Sequence, residues 1–140
     1  MENKLFDSNC ITLDGKMDEA VWNEVPTYTD FRYFQNQGGE LQDEKTYFKI
    51  IPCEDRIYVG VKCMESDIEM AEGHRFTHPG YGKPSIQFLF CPSGKDFDFY
   101  QFFAGWDGSK LENFYSECGQ IQPDPYAPEW RFETYTGEDY

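Results

Sequence analysis

The segment 57–63 constrains the fold more than any other part of the chain. Ile57, Val59, Val61 and Cys63 alternate with Tyr58, Gly60 and Lys62. Successive residues of a strand point to opposite faces, so this period of two gives one apolar face and one mixed face. On an α-helix the same four apolar side chains would scatter around the axis and bury nothing together. A second apolar run, 46–52, lies just upstream, with Glu54-Asp55-Arg56 between the two. The pattern therefore predicts an antiparallel hairpin with strands over 46–52 and 57–64.

The same logic extends along the chain. Residues 85–91 and 96–104 predict a second hairpin around Pro92-Ser93-Gly94-Lys95. Alternation sets Ser85, Gln87 and Leu89 against Ile86, Phe88 and Phe90, and Phe97, Phe99, Gln101 and Phe103 against Asp98, Tyr100, Phe102 and Ala104. Residues 10–13 predict a short strand closed by Asp14-Gly15, and 17–22 predict a helical turn that Pro26 ends. Residues 130–135 predict a last strand. Stretch 66–84 is a long polar loop, and 105–128 is expected to be mostly irregular, with Pro123, Pro125 and Pro128 excluding helix. Aromatics make up 19% of the 140 residues, which favours strands over helices. Many short strands separated by turns predict one all-β domain, an antiparallel sandwich or barrel.

Charge narrows the partners. Lys and Arg number 12 against 26 Asp and Glu, a formal charge of −14 that repels phosphate backbones and anionic lipid surfaces. Neither nucleic acid nor membrane is an expected partner, and no apolar run reaches the roughly 20 residues of a membrane helix. Neutral glycans and cations remain compatible. The N-terminus lacks a basic start and apolar stretch, so the expected location is cytoplasmic, or secreted if a signal has been removed. Cys10, Cys53, Cys63, Cys91 and Cys118 are odd in number and contain no C-x-x-C, and they read as buried thiols.

A longer order of motifs carries a resemblance. Leu13-Asp14-Gly15-Lys16-Met17-Asp18-Glu19-Ala20-Val21-Trp22, then Thr46-Tyr47-Phe48-Lys49-Ile50 with Arg56-Ile57-Tyr58-Val59-Gly60-Val61, then Pro84-Ser85-Ile86-Gln87-Phe88-Leu89-Phe90 and Tyr100-Gln101-Phe102-Phe103 resemble, in sequence, the conserved segments of carbohydrate-binding module family 9. The resemblance runs from about residue 10 to residue 135, leaving 1–9 as an N-terminal extension and 10–140 as the module. It implies a β-sandwich of jelly-roll or immunoglobulin-like type that binds sugar without catalysis, as an accessory module in glycan degradation. It also implies a clamp aromatic at Tyr81, a hydrogen-bonding group at Gln87, and Phe103 where the family places a sugar-contacting arginine. Strands that follow Tyr135 in the family have no counterpart here, so the sandwich is expected without its C-terminal strands. An uncovered edge would template self-association, increasingly so as salt screens the charge.

The residues themselves add to the expected site. If Gln87 faces ligand, Gln101 and Phe103 are its neighbours across the hairpin. Trp106, in Gly105-Trp106-Asp107-Gly108, sits in a tight loop where a large aromatic can be presented to ligand. Trp22 and Trp130 read as core. The carbohydrate-binding candidates are therefore Tyr81, Gln87, Gln101, Phe103 and Trp106. No catalytic residues are expected: there is no G-x-S-x-G, and Asp96 and Asp98 share a face beside a turn, whereas a glycosidase needs two carboxyls held roughly 5 to 10 Å apart across a substrate cleft. Calcium is the metal best matched to this acidic chain, with Glu65-Ser66-Asp67 and Asp107 as loop candidates. A haem-binding relative would need axial ligands, and nothing sets Met64, Met70 and His74 opposite one another. The competing reading is a structural or interaction sandwich that has lost the sugar site.

Overall fold

A computed structural model describes residues 4–32, 44–66, 85–94, 98–116, 120–122 and 129–137. They hold one 3-10 turn, Ala20–Glu24, and six strands: β1 (Thr46–Pro52), β2 (Ile57–Cys63), β3 (Ser85–Phe90), β4 (Phe99–Gly105), β5 (Lys110–Ser116) and β6 (Gln120–Gln122). Every strand pair is antiparallel, β1 with β2 in one sheet and β3-β4-β5-β6 in another. The described chain is all-β, in two antiparallel sheets. Among the described residues no helix is long and apolar enough to cross a membrane. Two compact units divide the chain, Met1–Ile68 with Tyr135–Tyr140, and Glu69–Thr134.

The first unit is built around the expected hairpin. β1 and β2 run from the Thr46↔Cys63 pair to Pro52↔Ile57, and the Cys53 N–H donates to the Arg56 carbonyl at 2.8 Å to close the turn. Alternation places Lys49 and Ile51 on one face, opposite Gly60 and Tyr58. Trp22 covers that face. It is 4% exposed, Ile51 is 0% and Cys53 7%, and Phe6, Ile11, Met17, Val21, Val25 and Tyr58 pack around them. So the mixed face of β2, not its more apolar one, meets the indole. The reason is Gly60, whose missing side chain leaves a hollow: a Cβ there would lie 2.6 Å from Met17 Cε and 2.9 Å from Trp22 Cη2. Gly60→Val should therefore cost about 1 to 3 kcal/mol by overpacking, read as a lower denaturation midpoint at unchanged slope.

Polar bonds fix the plug. Glu19 accepts from the Thr12 N–H at 2.7 Å and from Trp22 Nε1 at 3.0 Å, while Lys49 Nζ donates to the Trp22 carbonyl at 2.6 Å. Asp14 accepts from the Lys16 N–H at 3.0 Å, and Gly15 takes φ 82°, the turn its sequence announces. The expected strand at 10–13 does not form, because Thr12 gives its N–H to a carboxylate instead of a neighbouring strand. At the other end of β1, Phe6 N–H donates to Pro52 O at 3.0 Å in a single parallel bridge next to Cys53. Asp55, in the hairpin turn, bonds Arg56 and the Ser8 hydroxyl, and these bonds hold its carboxyl well below the usual carboxylate range.

In the second unit β3 (Ser85–Phe90) and β4 (Phe99–Gly105) follow the expected second hairpin; β4 runs one residue past 104, and residues 96 and 97 lie outside the described residues. The reading of 105–128 as irregular is corrected. Trp106-Asp107-Gly108 is a three-residue hairpin loop with Gly108 at φ 80°, and it returns the chain into β5 and then β6. The last expected strand, 130–135, is likewise corrected: the segment carries no ladder. It lies over the sheet through its rings, Trp130 meeting Phe102 edge-on at 5.3 Å and stacking on Phe132 at 5.5 Å. Trp130 Nε1 donates to Glu112 at 2.8 Å, and Lys110 Nζ donates to the Trp130 carbonyl at 3.2 Å. The thiols also differ from expectation, since Cys53 is buried and Cys10 half-buried but Cys63 and Cys91 are exposed; Cys118 lies outside the described residues.

Candidate functional site

The register of the four-stranded sheet decides which side chains meet. Leu89 pairs with Gln101, Gln87 with Phe103, Gln101 with Asn113, and Phe99 with Tyr115. One face thus carries Ser85, Gln87 and Leu89 from β3, Phe99, Gln101 and Phe103 from β4, and Leu111, Asn113 and Tyr115 from β5. The opposite face is aromatic: Phe90 meets Phe102 at 5.9 Å, Tyr100 meets Phe114 at 4.9 Å, and Trp130 covers Phe102. The rings of that aromatic face are half-buried, whereas on the first face Ser85, Gln87 and Leu89 are exposed and Phe103 is buried.

Gln101 is the hub. Its Nε2 donates to Gln87 Oε1 at 3.3 Å, and its Oε1 accepts from Asn113 Nδ2 at 3.2 Å and from the Tyr115 hydroxyl at 3.0 Å. The row crosses three strands. An amide oxygen has two lone pairs, and Gln101 uses both. At the β3 end, exposed Gln87 accepts within the row and keeps its own NH2 donors for a further acceptor. Beside the row the Phe99 and Tyr115 rings stack 4.7 Å apart at 15°, and Leu89 is 60% exposed.

Of the five expected site residues, the sheet brings Gln87, Gln101 and Phe103 onto one face. Phe103, however, is 3% exposed and offers no ring surface to a ligand. Trp106 is 40% exposed in the β4–β5 loop, past the Gly105↔Ser85 pair at the end of the sheet. The loop is set by Asp107, which accepts from the Ser109 N–H at 3.1 Å, and by the Thr134 hydroxyl, which donates to the Trp106 carbonyl at 3.3 Å. Tyr81 lies outside the described residues. Asn113 and Tyr115 were missed; the one signal for their strand is the Gly108 turn, after which Lys110-Leu111-Glu112-Asn113-Phe114-Tyr115 keeps no clean period of two.

No group of three or more metal-ligating side chains occurs among the described residues. Asp67 and Asp96 lie outside them, while Asp107 is engaged with Ser109 and Asp98 accepts from the Ser116 hydroxyl at 3.0 Å. What this face can do chemically is donate and accept neutral hydrogen bonds beside ring and aliphatic surface. No family model matches the chain, and neither any curated protein nor any solved structure matches it.

Proposed function

We propose that this chain is a non-catalytic carbohydrate-binding domain that takes a neutral mono- or oligosaccharide on the amide face of its four-stranded sheet, as an accessory module in glycan degradation. The observation that supports it is the row Gln87–Gln101–Asn113–Tyr115, with exposed Trp106 at the end of the same sheet. Sugar hydroxyls both donate and accept, and carboxamides answer both needs. The C–H faces of a pyranose stack on aromatic rings. A charge of −14 disfavours acidic glycans. Because every bond offered is neutral, affinity should be weak, with a Kd on the order of 0.1 to 1 mM.

Calorimetry after a glycan array of neutral sugars tests this on the full chain. We expect saturable heat for at least one sugar, no released product, and at least tenfold weaker binding in Gln101→Leu and Trp106→Ala. Gln101→Leu should also cost about 1 to 3 kcal/mol of stability, since half-buried Asn113 and Tyr115 lose their acceptor. An array without a saturable ligand overturns the reading. It would then favour a structural or interaction domain, for which the hydrogen bonds that Gln101 makes within the row and the burial of Phe103 are the specific support.

A further inference from the structure

We propose that Cys10 and Cys53 are a dithiol pair that closes to a disulfide and locks the N-terminal turn onto the β1–β2 hairpin. The geometry converges on one carbonyl. Asp7 O accepts from the Cys10 N–H at 3.1 Å and from the Cys53 thiol at 3.5 Å, so the Cys10 backbone and Cys53 Sγ flank the same oxygen. Cys10 packs against the cluster of Trp22, Ile51 and Cys53. The turn holding Cys10 is already fastened to the hairpin. Phe6 N–H donates to Pro52 O at 3.0 Å, the Tyr58 hydroxyl donates to Ser8 O at 2.7 Å, and the Ser8 hydroxyl bonds Asp55. A covalent link would thus join segments that already meet, and would close the long loop between residues 10 and 53.

The two thiols differ in the way a stepwise exchange requires. Half-buried Cys10 is reachable, and as thiolate it attacks a small disulfide such as oxidised glutathione, forming a mixed disulfide and releasing one glutathione thiolate. Cys53 then loses its proton to water and attacks the Cys10 sulfur, expelling the second glutathione. The protein gives up two hydrogens and the small disulfide is reduced to two thiols. Burial first, and the Cys10 thiol second, push the Cys53 thiol up from its ordinary value, so ring closure should quicken as pH rises.

Oxidised glutathione added to the reduced, folded full chain, followed by intact mass and peptide mapping, tests this. The expected result is loss of two hydrogens from the mass, a single Cys10–Cys53 linked peptide, and a rise in Tm on the order of 10 °C that dithiothreitol reverses. Cys10→Ser should keep the Tm of the reduced chain and no longer respond to the oxidant; should that variant not fold, mapping of the unsubstituted chain decides alone. A persistent glutathione adduct on Cys10, links spread over Cys63 or Cys91, or a Tm lowered by oxidation would each overturn the proposal.

Discussion

Trp22→Ala should destabilise the chain by about 3 to 5 kcal/mol, the range for emptying a well-packed aromatic site. The ring is 4% exposed and rests where Gly60 leaves room, against Ile51 at 0% exposure. Collapse into the space is limited, because β1 and β2 are held in register by their ladder. Trp22→Phe separates packing from polarity. It keeps most of the ring volume but gives up the bond from Nε1 to Glu19, so its cost should be nearer about 1 kcal/mol. Urea denaturation gives the two values, and amide exchange in β1 and β2 should accelerate in the alanine variant. A loss below about 1 kcal/mol for Trp22→Ala would mean the indole is not the plug of this sheet.

The pairing of Ile57–Cys63 with Thr46–Pro52 was legible because alternation and a short turn are both local signals. β3 and β4 were legible for the same reason, and with them the meeting of Gln87 and Gln101. β5 was not. In Lys110-Leu111-Glu112-Asn113-Phe114-Tyr115-Ser116 the alternation breaks at Phe114-Tyr115, since Phe114 packs on Tyr100 on one face while Tyr115 stacks on Phe99 on the other. A strand with rings on both faces loses its period of two. Pro123, Pro125 and Pro128 compounded the error: they exclude helix where they stand but say nothing about a strand that ends at Ser116. Missing β5 hid Asn113 and Tyr115, half of the amide row.

The segment 130–135 fails in the opposite direction. Its alternation of Trp130 and Phe132 correctly shares one side, for the two rings stack, but sharing a side does not supply a strand to pair with. Here side-chain burial and Lys110 and Glu112 hold the segment, not a ladder. Face assignment has a similar limit at Phe103. Period two says which face a residue is on; how deeply it is covered depends on the side chains across from it.

Phe103→Ala should cost about 3 to 5 kcal/mol and leave sugar affinity of the folded protein unchanged. At 3% exposure the ring is a packing element of the sheet, between Gln87 on β3 and Leu111 on β5 in the register. Its burial suits an uncharged ring. A guanidinium at so enclosed a site would be charged and without a partner, which costs far more than the lost ring contacts. Phe103→Arg should therefore fold poorly rather than gain a sugar contact. The decisive comparison is with Gln101→Leu, which touches the amide row on the same strand and face. If the row is the binding surface, Gln101→Leu weakens sugar binding at a modest cost in stability, whereas Phe103→Ala lowers the denaturation midpoint, speeds amide exchange in β3, β4 and β5, and binds sugar normally while still folded. Unchanged stability together with lost binding in Phe103→Ala would reverse the assignment and make the ring a ligand platform.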